Sequence, residues 1–399
     1  MIRLLPLYLV IFAGFFGYSL LITVFTPMLL QDGGGGLLPA SVTMPTRTLT
    51  LGILLCLYPA GQFFGSPVLG ALSDRHGRRP ILLLSLAVTT ACYALIATAL
   101  ARQSLALLAS SLIIAGLAEA NVATAQSAIA DVVDPSERNR FFGYVYMSAS
   151  LAYIVGPLAG GRLADPALVP WFGPATPFWA TLGLLLLTLL ATLVSFRETH
   201  PPDRRAAAGY GAALANLAAV VTDRRLRRLY LVNFLAYLAI FGFFRCYPMY
   251  LVDEFGFGVS RESEFVAWVG LPIVLANLWL TGFLARHFAS RTLTMASAAL
   301  MGVFMMVIVL PAAPGSLWVT LFLTSLALAV CLPASATMLS LAAGADEQGR
   351  AMGNNQALQV GAEALSGLVG GALAMLAVKV SLITFGGIAI LAALLLLVT

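Results

Sequence analysis

The chain has 399 residues, 60% of them hydrophobic and only 10% charged, and its formal net charge is +5 from 22 basic and 17 acidic side chains. A soluble protein of this size carries about 25% charged residues, so the composition excludes an ordinary water-soluble globule and points to a chain that crosses a membrane many times. Most basic residues sit in short connections between apolar runs, where membrane topology demands them, which argues against a nucleic-acid partner.

Twelve apolar runs follow one another, at approximately 4–30, 49–72, 81–101, 104–130, 141–164, 175–196, 229–252, 265–285, 292–312, 316–341, 351–377 and 381–398. Backbone groups cannot go unpaired in lipid, so each run is predicted to be a helix. The two-residue alternation of a membrane barrel is absent. The first run follows a single Arg3, is longer than a signal-peptide core and lacks a convincing small-residue cleavage site, so it is read as a retained span. The tetraglycine Gly33–Gly36 is not followed by the Lys-Ser/Thr of a phosphate loop and reads as a flexible external linker. Cys56, Cys92, Cys246 and Cys331 all fall inside apolar runs and read as buried free thiols.

Alternate connections carry the basic residues. One set holds Arg3, then Arg75, Arg78 and Arg79, then Arg138 and Arg140, then seven arginines between Arg197 and Arg228, then Arg286, Arg291 and Arg350. The other set holds only Arg47, Arg102, Arg162, Arg261 and Lys379. This bias puts both termini on the cytoplasmic side. The long basic connection divides the chain into a bundle over 1–196, a cytoplasmic linker over 197–228 and a second bundle over 229–399. The two bundles repeat one another: Gly282 to Arg286 with Arg291 copies the frame of Gly70 to Asp74 with Arg79, and Arg350, Gly353, Gly370 and Gly371 echo Arg140, Gly143, Gly160 and Gly161. The fold expected is all-α, with twelve transmembrane helices in two pseudo-symmetric six-helix bundles and substrate held between them near the midplane.

The connection after the second span reads Gly70-Ala-Leu-Ser-Asp74-Arg75-His-Gly77-Arg78-Arg79. Glycine permits a tight turn at either end, and Asp74 is placed to accept hydrogen bonds from a neighbouring helix N-terminus. Here the chain resembles the major facilitator superfamily, whose second and third helices are joined by G-x-L-x-D-R-x-G-R-R. The resemblance implies that Asp131, after the fourth span, joins Asp74 and Arg78 in an inner-face charge network that latches the outward-open state. The fifth span carries Gly143, Ala152, Gly156-Pro157 and Gly160-Gly161, a spacing similar to the exporter signature of this superfamily, with Ala152 where glycine is usual. A pliable, tightly packed helix that limits leak is the implied role, and simple close packing is the plainer alternative.

Three ionisable residues fall well inside spans: Glu119, Arg245 and Glu363. Each mid-membrane charge costs about 2.5–3.5 kcal/mol on insertion scales, so such groups line a cavity or pair with one another. Glu119 has Asn121 beside it and Gln126 seven residues on, along one helix face. Glu363 shares a polar stripe with Gln356 and Gln359. By the resemblance, the first, fourth, seventh and tenth helices line a central cavity, which Glu119 and Arg245 then face. Glu119 is the first candidate to bind a proton and a cationic substrate in turn. Glu363 is the second, or a partner for Arg245; a permanent ion pair fixing the packing of the halves is the structural alternative. Tyr58 and Gln62, with Tyr144, Tyr146, Phe241, Phe244, Tyr247, Asn277 and Trp279, are candidates to dress a pocket. Leu112 stands where many proton-coupled relatives carry arginine, and the first span lacks the carboxylate of the tetracycline exporters, which the end of the sixth span, Glu198-Thr199-His200, otherwise resembles.

The function expected is proton-coupled efflux of a small amphipathic drug or metabolite by alternating access. The partners are that substrate, protons and the bilayer, with no cofactor, the proton gradient as energy source, a monomer as the working unit and a bacterial inner membrane as the location. An importer or facilitator of an anionic metabolite using Arg245 stays open, as does a non-transporting receptor or scaffold. No metal-ligand spacing or mid-span histidine suggests an enzyme.

Overall fold

The computed structural model describes residues 4–31, 36–119, 121–134, 137–199, 220, 223, 225–310, 313–343 and 348–397. Arg3, most of the tetraglycine and nearly all of the 200–224 connection, including His200, lie outside the described residues.

Every regular element among the described residues is helical. In order they are α1 (Leu5–Leu30), α2 (Met44–His76), α3 (Arg78–Ala101), α4 (Leu105–Ala118), α5 (Asn121–Val132), α6 (Arg138–Leu163), α7 (Thr176–Ser195), α8 (Arg227–Phe255), α9 (Val259–Leu275), α10 (Thr281–His287), α11 (Ser290–Val307), α12 (Leu317–Ala342), α13 (Gln348–Ala374) and α14 (Val378–Leu395). A π-helical turn, Ala276–Leu280, joins α9 to α10. Eleven helical stretches among the described residues are long and apolar enough to cross a bilayer, with α4–α5 and α9–α10 each counted as one. The 26-residue α6 also has the length to cross, since 1.5 Å per residue gives about 39 Å against a hydrocarbon core of about 30 Å.

The chain forms two compact units. One holds 1–41, 57–210 and 258–264; the other holds 42–56, 211–257 and 265–399. Helix α2 therefore gives Met44–Cys56 to the second unit and the rest to the first. In the first unit α1 packs against α6 and α7, and α3 against α4 and α7. In the second, α8 packs against α13 and α14, and α11 against α12 and α14. The neighbour pattern is the same in both, which is the internal duplication expressed in three dimensions.

The connection around Asp74 is shorter than the sequence suggested. Residues Gly70–His76 continue α2, and the chain turns at Gly77 alone, whose φ of 98° a side chain would strain. Gly70 lies inside α2 and makes no turn, and a Cβ there would meet nothing within 4 Å. Close approach explains other glycines. A Cβ at Gly116 of α4 would overlap the Tyr58 carbonyl of α2, and Cβ atoms at Gly61 and Gly65 would overlap the carbonyls of Ile113 and Leu117. Small residues one turn apart let these two backbones touch.

Candidate functional site

The fourth span is broken where Glu119 sits. Helix α4 stops at Ala118, Glu119 takes φ −79° and ψ 67°, and α5 starts at Asn121. A break inside a span frees carbonyls that lipid cannot satisfy. Serine hydroxyls from neighbouring helices supply the donors: Ser85 Oγ donates to the Ala118 carbonyl at 2.5 Å and Ser66 Oγ to the Glu119 carbonyl at 3.4 Å. Asn121 turns back so that its Oδ1 accepts from the Val122 N–H at 2.8 Å. The expectation that Gln126 shares a helix face with Glu119 fails for this reason, because the two no longer belong to one helix.

Around the Glu119 carboxylate the first unit builds a buried tyrosine cluster. The buried Tyr58 hydroxyl lies near enough to the carboxylate to feel its charge, and its ring lies 5.3 Å from that of Tyr18. The Tyr93 hydroxyl fills the space left by the missing side chain of Gly17. A Cβ at Gly14 of α1 would press on Val122 at 3.0 Å and stand in ordinary contact, 3.7 Å, with Glu119 Oε1, so this part of α1 lies beside the carboxylate. Glu119, Tyr18, Tyr58 and Tyr93 are all buried. Glu119 is thus enclosed by its own unit, with a hydroxyl donor at hand. Gln62 is only half-buried and makes no described contact with the carboxylate.

In the second unit Arg245 of α8 is 1% exposed and reaches Glu363 of α13, Nη2 to Oε1, at 3.4 Å. The pairing of Arg245 with Glu363 is therefore present, and it lies inside one unit rather than between the two halves. Gln359, one turn before Glu363, is half-buried. Asn277 and Trp279, expected to dress a pocket, lie exposed on the π turn. A second polar cluster was missed altogether. Asn233 Nδ2 donates to Asn355 Oδ1 at 2.7 Å and to the Ser335 carbonyl at 3.3 Å, and Asn355 Nδ2 donates to the Tyr237 hydroxyl at 2.7 Å. The adjacent amides Asn354-Asn355 in an apolar run were the signal for it.

The charged residues after α2 do converge. Arg78 Nη1 meets Asp74 and the Ser73 hydroxyl, and its Nε donates to Asp131 Oδ2 at 3.1 Å. Arg75 is exposed, and none of the described hydrogen bonds or ion pairs joins it to this network. The N-terminus of α3 is capped by Glu198 rather than by Asp74. Glu198 accepts from the Arg78 N–H at 2.8 Å and the Arg79 N–H at 3.0 Å, while Asp74 is taken up by the arginine itself. In α6, Gly156 lies against the Ser19 hydroxyl of α1, so its lack of a side chain is used for close packing beside Pro157.

The Major Facilitator Superfamily model matches residues 7–276 and 229–399. A class C tetracycline resistance protein from Escherichia coli is 32% identical over 258 residues, covering 62% of this chain and 61% of that protein. Major facilitator superfamily domain-containing protein 10 from Mus musculus is 30% identical over 317 residues, covering 73% of this chain and 66% of that protein. The chain thus spans about three-fifths of the first of these relatives. Among solved structures, the human organic anion transporter MFSD10 (TETRAN) superposes with a TM-score of 0.72 at 23% identity, covering 98% of both chains. A D-xylose-proton symporter gives 0.77 at 16% identity, covering 98% of this chain and 96% of that one. These neighbours are transporters, not enzymes, and at such identities they speak for the fold. With the duplicated six-helix units and the charged turn at Gly77, the matches establish that this chain belongs to the major facilitator superfamily.

Proposed function

We propose that the protein is a secondary active transporter that exports a small amphipathic drug or metabolite in exchange for protons, by alternating access. The buried Glu119 carboxylate at the break in the fourth span carries this reading. An ionised group there is costly unless neutralised, and a proton or the cationic end of a substrate neutralises it equally well. Mutual exclusion at one carboxylate couples the two fluxes: substrate displaces the proton on one side of the membrane, and a proton displaces substrate on the other. Tyr58, buried beside it, is placed to donate to the ionised form and so to orient it. Leu112 leaves the fourth span without the arginine of many proton-coupled relatives, so Glu119 takes the proton-carrying role itself. The tetracycline resistance relatives support a drug-like substrate. The proton gradient supplies the energy without a cofactor. The protein works as a monomer in a bacterial inner membrane with both termini in the cytoplasm, and the Asp74–Arg78–Asp131 network acts as a conformational latch.

Everted vesicles containing the protein test this. An imposed pH gradient, acid inside, should drive uptake of tetracycline, and collapsing the gradient should abolish it. Gradient-independent movement would refute antiport.

A second reading has its own observation. Arg245 is a buried cation whose described partner, Glu363, would release it on protonation. An anionic substrate could then take the place of Glu363. Binding retained in Arg245→Lys and lost in Arg245→Ala would support that anion site; indifference to both would remove it.

A further inference from the structure

Helix α9 begins with a carboxyl group that none of the roles above uses. Glu262 is 0% exposed, and neither of its side-chain oxygens has a hydrogen-bond partner among the described residues. It lies in the first unit, where the first turn of α9 docks on the C-terminal end of α6. Two contacts make the dock. Ser260 Oγ donates to Asp165 at 2.5 Å, and Gly161 lies so close that a Cβ there would overlap the Ser263 hydroxyl. The charged groups on the segments that meet there do not answer Glu262. Arg162 on α6 and Arg261 and Glu264 on α9 are exposed, and Asp165 is engaged by Ser260. At the preceding end of α8, Asp253 and Glu254 are exposed, and Glu254 is tied to Lys379 at 2.7 Å.

An ionised carboxylate buried with neither charge partner nor hydrogen-bond donor is among the costliest groups a protein can hold. We infer that Glu262 is a further proton-binding site, separate from Glu119 and Glu363, which holds its proton while the first turn of α9 stays docked on α6. Undocking admits water, and the acid then releases that proton to solvent as a carboxylate. The dock and the proton are linked: whatever opens the contact expels the proton, and alkaline conditions on that side open the contact.

The inference does not depend on transport, and its test reads no transport. Infrared difference spectroscopy of the purified full chain detects the C=O stretch of protonated carboxyl groups. At neutral pH the parent should show such a band that Glu262→Gln removes, while Glu119→Gln and Glu363→Gln leave it in place. Glu262→Asp guards against a folding failure of the glutamine variant, because it should shift the band rather than delete it. Gly161→Leu, which keeps Glu262 but wedges the dock apart, should lose the band at neutral pH and recover it in acid. A spectrum unchanged by Glu262→Gln would overturn the proton site. A band retained in Gly161→Leu would overturn its link to the docked helix end.

Discussion

Glu119 and its neighbour Tyr58, placed to donate a hydrogen bond to the ionised carboxylate, are the pair on which the proposed transport cycle turns. A hydrogen bond to a charged group contributes about 1.5–3 kcal/mol, so Tyr58→Phe should weaken proton-coupled uptake by roughly tenfold or more, since 1.4 kcal/mol is about tenfold. Uptake rates at saturating and low substrate check this; an unchanged rate would show that the hydroxyl does not act on the carboxylate. The buried pair in the second unit behaves differently. Removing one partner of a buried ion pair costs about 3–5 kcal/mol, because the other charge is stranded, whereas replacing both by apolar groups is often neutral. Arg245→Ala should therefore lower the thermal midpoint sharply, and Arg245→Met with Glu363→Leu should restore much of it. Equal losses in the single and double variants would contradict an energetically coupled pair. Little of this was legible beforehand at the level of partners. Arg245 and Glu363 lie 118 residues apart in sequence; their pairing was one reading open from sequence, beside a proton site at Glu363 and a tie between the halves, and polarity alone did not choose among them. Glu262 was missed because it precedes the run expected to start at residue 265; its polar neighbours Arg261 and Glu264 made the segment look like an outer loop.

At the scale of elements, tertiary contacts override local preference where the site forms. The Glu119-Ala120-Asn121 stretch has neither glycine nor proline, and alanine and glutamate favour helix, so nothing local announces a break. Ser85 and Ser66 make it tolerable by satisfying carbonyls that lipid would leave bare. The opposite holds after α2, where a charged, glycine-bearing stretch looked like a loop yet runs helical to His76. Only Gly77, with its positive φ, had to turn. The cap of α3 comes from Glu198, some 120 residues away. Glu198→Ala should cost about 1 kcal/mol, in line with the loss of a helix cap, and hydrogen exchange should quicken at Arg78 and Arg79. The α2–α4 seam is less forgiving. Gly116→Leu sets a side chain against the Tyr58 carbonyl, and overpacking of this kind costs about 1–3 kcal/mol or more. It should also move Tyr58 away from Glu119, so activity should fall further than stability. A stable, fully active Gly116→Leu protein would show that the close approach is incidental. Within the inner charge network, Asp74 is 51% exposed at its side chain and Asp131 22%. Screening by water makes the exposed pair worth little, so Asp131 is the stronger tie to Arg78.

For the molecule as a whole, composition and arginine placement carried the class, the helices and the duplication, because a bilayer leaves a polypeptide few choices. The repeat markers Gly70–Arg79 and Gly282–Arg291 anticipated the matching neighbour patterns of the two units. The chemistry of the cargo left no such mark, since an apolar pocket is made of the same residues as an apolar core. A receptor or scaffold on this fold has no use for a carboxylate held at a broken helix; a proton-driven carrier does. Proton movement across sealed proteoliposomes, on addition of tetracycline and of a panel of organic anions, compares these directly in the parent and in Glu119→Gln. The account predicts substrate-induced proton flux in the parent and its loss in Glu119→Gln, with the protein still folded. Substrate movement without proton flux, unaffected by the substitution, would contradict it.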